Sequence, residues 1–262
     1  MSSDEYFVEK SIPSAYVGIV PAAGVGSRLP GRKLSKEILP VGGSAGTENP
    51  VLAHLLTSMH CAGVADVRVV LREGKQDVAD YLARDQWEHI RFDILTTPGT
   101  SGVAETVSLG LQDIGDRRIA FGFPDILFDP HDAFITMMQQ LNNSNADVIL
   151  GLFPTNSPTK MDMVDVDHSG RALRIDIKPS NTDLALTWIL AVWNPSFSTY
   201  LCDQVRKSST SLTEHSGEAH LGCIFQLAIA DGLHVNSVSF AEGRSLDIGT
   251  PDDLERASRW VG

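Results

Sequence analysis

The chain has 262 residues, 42% of them hydrophobic, and sets 33 Asp and Glu against 21 Lys and Arg for a formal charge of −12. That length allows one large α/β domain or two small ones around a well-buried core. Net acidity excludes the broad basic face that non-specific nucleic-acid binding needs, while leaving room for a locally basic pocket that takes an anionic substrate.

Residues 1–15 are polar and lack an apolar signal core, so they read as a flexible N-terminal arm ahead of a single domain over 16–262. A first strand is expected over 16–20. Asn49 and Pro50 read as the N-cap and first-turn proline of a helix that ends at Ala62, with Gly63 as its stop. Strands over 66–71, 92–95, 118–123 and 147–153 then alternate with helices over 76–83, 103–111 and 133–141. Alternation at this spacing implies βαβ units, hence an α/β, Rossmann-like, mainly parallel twisted sheet flanked by helices. Beyond it, 163–166 and 171–177 flank Asp167-His168-Ser169-Gly170, a hairpin turn that predicts a small antiparallel insertion. A strand over 186–193, a helix over 217–230, a strand over 234–240 and a helix over 251–261 complete the pattern.

No run of about 18 apolar residues is present, so no membrane span and no membrane partner are expected. Cys61, Cys202 and Cys223 are odd in number and far apart, which suits a reduced cytoplasm better than disulfides or zinc. His54 and His60 are not at zinc spacing. Asp162, Asp165 and Asp167 lack the glycine and glutamate of a calcium loop and read as a solvated hairpin. Trp188, Trp193 and Phe197 read as core, with room for one of them to line a pocket.

The stretch YVGIVPAAGVGSRLPGRKLSKEILPV, 16–41, carries the chemistry. An apolar strand enters a glycine-rich turn, and Arg28, Arg32, Lys33 and Lys36 follow closely. Glycine permits close approach of backbone to phosphate, and Ser27 and Arg28 add donors, so the turn suits a nucleotide triphosphate. Leu29 stands where a dinucleotide fingerprint wants its third glycine, and no GK[ST] follows.

The spacing of Gly24, Gly26, Arg28, Lys36, Leu39, Pro40 and Val41 resembles the N-terminal signature of nucleotidyltransferases that join a nucleoside triphosphate to a sugar 1-phosphate, nearest the glucose-1-phosphate thymidylyltransferase group. Three later segments match in order: 98–105, Phe123-Pro124-Asp125, and Asp247-Ile248-Gly249-Thr250-Pro251. Ile175-Asp176-Ile177-Lys178-Pro179 is similar to the family's E-K-P segment. The resemblance implies an Mg²⁺-dependent enzyme with Asp125 and Asp247 as metal ligands and Arg28, Lys36 and Lys178 as catalytic cations. It implies nucleotide contacts from Ala22, Ala23, Gly24, Gly26, Ser27, Gly102 and Glu105, and acceptor contacts from Lys178, Glu218 and His220. The partners implied are an NTP, a pyrimidine favoured, and a sugar 1-phosphate; a homo-oligomer is left open.

Two departures bear on specificity. Glu105 stands where a glutamine for the base is expected, and His220 where a sugar-contacting glutamate is expected, although a histidine there also reads as packed within a helix. With a spacer before Lys36 that is shorter than in typical thymidylyltransferases, these departures keep open a cytidylyltransferase with a non-hexose phosphorylated or phosphonate acceptor; the alternative from another class is a non-catalytic nucleotide-sugar sensor that kept the fold.

Overall fold

A computed structural model describes residues 15–26, 33–42, 49–207 and 220–260. Residues 1–14 of the expected arm over 1–15, and Ser27, Arg28, Arg32 and Glu218, lie outside the described residues. Elements in chain order are β1 (Tyr16–Ala22), β2 (Pro40–Val41), β3 (Asn49–Pro50), α1 (Val51–Cys61), β4 (Asp66–Arg72), α2 (Gln76–Leu82), β5 (Arg91–Thr97) and α3 (Val103–Gly110). There follow β6 (Arg118–Gly122), β7 (Ile126–Asp129), α4 (Ala133–Asn142), β8 (Val148–Pro154), β9 (Met163–Val166), β10 (Ala172–Asp176) and β11 (Leu186–Trp193). The last are α5 (Pro195–Lys207), α6 (Leu221–Ala230), β12 (Val235–Ser239), β13 (Arg244–Asp247) and α7 (Pro251–Ser258).

The apolar run of β1 is buried on both faces, as a central parallel strand must be. It pairs in parallel with β4 and β6, and β4 with β5, giving the mainly parallel core of a nine-stranded sheet in the order β10-β9-β11-β6-β1-β4-β5, with β8 and β12 branching from β11. β11 runs antiparallel to β6, β8 and β9, and the expected hairpin turn joins β9 to β10. Alternate residues of β1 supply both layers. Val20 and Ala22 meet α1, α2 and α4 through Leu55, Tyr81 and Met137, while Val17 and Ile19 meet α3, α5 and α6 through Val107, Phe197 and Phe225.

Asn49 and Pro50 do not open α1 as expected. They pair with Pro40 and Val41 as a two-residue antiparallel ladder, and Pro50 becomes the N-cap of a helix that begins at Val51. The Val51 N–H donates to the Leu39 carbonyl, a tertiary bond that outranks the local capping signal. The helix expected over 217–230 is seen from Leu221, with His220 as its N-cap rather than inside it.

Candidate active site

Strands β1, β4, β5 and β6 run in one direction, and the turns at their carboxyl ends form one wall of a cleft of about 490 Å³. Ligands of open α/β sheets bind at such an edge. From the turn after β1 come Ala23, Gly24 and Gly26, the last with φ +67°, which favours glycine. The Lys36 side chain lies beside both glycines. Arg72 enters from the end of β4, and its guanidinium occupies the space that a side chain at Gly99 would fill. Thr100, Ser101 and Gly102 enter after β5, at the N-terminus of α3, where backbone N–H groups and the helix dipole favour anions.

Asp125 follows β6 in the turn before β7, and Asp247 ends β13. These strands pair antiparallel with Asp247 opposite Ile126, and the Ile248 N–H donates to the Asp125 carbonyl at 2.9 Å. Asp125, just before β7, and Asp247, at the end of β13, are therefore near neighbours at one edge of the cleft. Lys36 Nζ forms an ion pair with Asp125 Oδ2. Burial pushes the Lys36 ammonium down, but Asp125, then Glu37 and Asp247, outweigh it and hold the group above its usual range. Behind it, the fully buried Glu37 accepts from Lys75 Nζ at 2.6 Å, and the same ammonium donates to the Ala22 carbonyl at 2.9 Å. This bridge ties the short 3₁₀ turn Lys36–Ile38, and so Lys36, to the end of β1.

The opposite wall comes from the antiparallel half. Lys160, Met161 and Asp162 precede β9, Lys178 follows β10, Trp188 comes from β11, and His220 and Leu221 start α6. Lys178 holds φ +40°, a strained value for a side-chain-bearing residue. Burial pushes the Asp162 carboxyl up to about 6, while Lys178 nearby pulls the other way.

Residues 17–261 match the family described as Nucleotidyl transferase. The chain belongs to that family. A Bacillus subtilis (strain 168) protein carried as "Putative UTP–glucose-1-phosphate uridylyltransferase" is 26% identical over 161 residues, which is 53% of this chain and 57% of that protein, so the match spans little more than half of its relative. The crystal structure of a "Putative Glucose-1-Phosphate Thymidylyltransferase" from Bacillus anthracis, in complex with a sucrose, superposes with a TM-score of 0.79 and 19% identity, covering 94% of this chain and 96% of that one. At that identity the likeness is one of fold.

Of the residues expected from sequence, the fold brings Ala23, Gly24, Gly26, Lys36, Gly102, Asp125, Lys178, His220 and Asp247 onto the walls of one cleft. Ala22 is buried beneath it and offers only its carbonyl, to Lys75. Glu105 does not join the walls. Its Oε2 accepts from the Ser101 N–H at 2.6 Å and the Ser101 hydroxyl at 2.7 Å, so this carboxylate closes the first turn of α3. Arg72, Lys160 and Asp162 are additional wall residues. Arg72 is recoverable from its place at a strand's carboxyl end, whereas Asp162 is masked by the two aspartates that follow it. Of those, Asp167 does shape the hairpin, accepting from the Ser169 N–H at 2.8 Å and the Arg171 N–H at 3.1 Å.

Proposed function

We propose that this chain joins a nucleoside triphosphate to a sugar 1-phosphate with release of pyrophosphate. The observation that carries the reading is convergence. Lys36, Asp125, Lys178 and Asp247, drawn from four distant segments, line one cleft at the carboxyl edge of the sheet. Residues 16–262 then serve one site and read as one domain. An oxygen of the sugar phosphate attacks the α-phosphorus in line as the bond to the β-phosphate oxygen breaks, and no covalent enzyme intermediate is needed. Gly24 and Gly26 bring backbone N–H groups to the triphosphate, and Lys36 and Arg72 offset its charge. Lys178 steadies the acceptor phosphate against the α-phosphate, a task of positioning and charge neutralisation.

The donor set suits Mg²⁺, a hard cation that is commonly held by one or two carboxylates plus substrate phosphates. Among the described residues no group of three or more His, Cys, Asp or Glu forms a self-sufficient metal cage. Asp125 and Asp247 would hold the ion, which would polarise the phosphoryl oxygens when bound. Lys36 pairs with Asp125, so the proposed metal site and triphosphate cradle share one network. A pyrimidine nucleotide is the proposed donor, on the family resemblance of the N-terminal signature.

The test supplies each NTP with Mg²⁺, inorganic pyrophosphatase and a panel of hexose 1-phosphates, and measures phosphate release. Release only with both substrates is expected. NTP binding without turnover of any phosphorylated acceptor would replace this reading with a nucleotide-sugar sensor.

A further inference from the structure

We propose, on the sugar 1-phosphate reading, that Asp162 and the indole N–H of Trp188 together grip one hydroxyl of the acceptor sugar and thereby select which sugar 1-phosphate is used. Both residues line the cleft on the wall that carries Lys178, where the acceptor phosphate would sit. Asp162 Oδ1 and Trp188 Nε1 are buried neighbours: the indole N–H lies near enough to help hold the carboxyl down, yet neither atom completes a well-formed hydrogen bond. Buried polar groups are ordinarily satisfied, and an acceptor and a donor that neighbour each other without closing that bond point to a ligand group that partners both. A hydroxyl does so, donating to the carboxylate and accepting from the N–H. An ammonium has nothing to offer the indole, and a dianionic phosphate has no proton for the carboxylate.

The pair is held rigidly. The buried Thr187 hydroxyl donates to the Asp162 carbonyl at 2.8 Å, fixing the residue at the entry to β9. A register shift between Trp188 and Leu190 places two residues of β11 against one of β8. The bulge breaks the alternation, leaving Trp188 on the α6 side while Ile189 and Leu190 both face α1 and α4. There the indole is boxed by Phe123 and Phe225 at centroid distances of 5.5 and 5.0 Å. At Gly222, in the first turn of α6, any Cβ would collide with Asp162 Oδ2, so the carboxylate sits where only glycine leaves room. The titratable groups around it are Lys178 beyond β10 and the Cys223 thiol on α6, which burial first and then the carboxylate push up. The strained backbone of Lys178 adds to a wall built for a ligand.

A site with buried groups aimed at a substrate hydroxyl rejects the analogue that lacks it strongly, because its own groups are then left unpaired. Steady-state kinetics of the full chain with glucose, galactose and mannose 1-phosphates, their monodeoxy analogues and glucosamine 1-phosphate would test the proposal. Asp162→Asn and Trp188→Phe should each raise the acceptor KM at least tenfold and leave the NTP KM within twofold. One monodeoxy analogue should be a poor substrate that wild type and both variants use equally well. Unchanged acceptor KM in both folded variants, or penalties that persist with every monodeoxy analogue, would overturn the grip while leaving sugar 1-phosphate transfer intact. Preference for the amino sugar that depends on Asp162 but not Trp188 would also overturn it. No turnover of any sugar 1-phosphate by wild type would overturn both readings.

Discussion

Asp162 keeps a carboxyl in a setting that favours its neutral form. Burial raises it to about 6, above the unfolded value, and Lys178 only partly opposes this. The folded state therefore binds the proton more tightly than the unfolded chain. The stability this contributes is complete below the unfolded pKa and is lost as pH rises through the folded one, a swing on the order of 2–3 kcal/mol. Asp162→Asn removes the penalty, so its melting temperature should exceed wild type at pH 7.5 by a few degrees, with the margin vanishing near pH 4. A constant margin by differential scanning fluorimetry at both pH values would show that the folded protein does not perturb this carboxyl. For Asp247 the proposed function sets the expected outcome. Asp247→Asn should cut turnover by about 10²–10³, a loss of about 3–4 kcal/mol of transition-state stabilisation, while the far-ultraviolet circular dichroism stays unchanged. Near-wild-type turnover with Mg²⁺ present would remove Asp247 from the site. These residues differ in legibility for a physical reason. Asp125 and Asp247 sit in short motifs whose backbone shape and chemistry travel together, whereas Asp162 owes its role to burial that only the assembled α6 and β11 create.

At the scale of elements, residues whose burial repeats along the chain disclose themselves, and those that depend on a distant partner do not. The strand Leu186–Trp193 is as expected, because eight consecutive apolar or β-forming residues specify it locally. Its bulge is invisible in sequence, since the displaced residues are all apolar and nothing marks the parity change. The four-residue strands β7 and β13 exist through each other, and α5 escapes a reading based on apolar clusters because Phe197 and Leu201 are its large buried hydrophobics. The same dependence makes the junction of α6 with β9 testable. A methyl at residue 222 would press on both Asp162 and the Ile177 Cδ1, which would lie 2.8 Å away. Gly222→Ala should lower stability by about 1–3 kcal/mol, the usual range for overpacking a tight contact. Combined with Asp162→Gly, which vacates the space, it should cost less than the sum of the two changes. Strict additivity in urea denaturation would mean that the two residues are not in contact.

Across the whole molecule, an acidic protein concentrates cations on one rim and relies on a few buried groups to hold that rim in shape. His54 on α1 is one of them. Its Nε2 lies 2.7 Å from the Phe128 carbonyl and 3.2 Å from the Phe128 N–H, pinning α1 to β7, the strand that follows Asp125 and pairs with β13. Burial, with His131 adding to it, pushes the imidazole down to about 4. Here the folded pKa lies below the unfolded one. The stabilisation is present above pH 6.5 and is lost as pH falls towards the folded value, at a cost on the order of 3 kcal/mol. His131 is lowered too, chiefly by burial, and acts in the same sense. Acid thus loosens the ladder that carries both candidate metal ligands, while protonation of Asp162 tightens the opposite wall. His54→Gln keeps an amide that can serve the Phe128 backbone without taking a proton. Its melting temperature should fall below wild type at pH 7.5, through imperfect packing, and close that gap or reverse it at pH 5. Parallel curves for the two proteins between these pH values would mean that the α1–β7 contact is not the acid-sensitive joint. The acid-sensitive group would then be His131, the half-buried imidazole at the same joint, whose ring centroid lies 4.8 Å from that of His54.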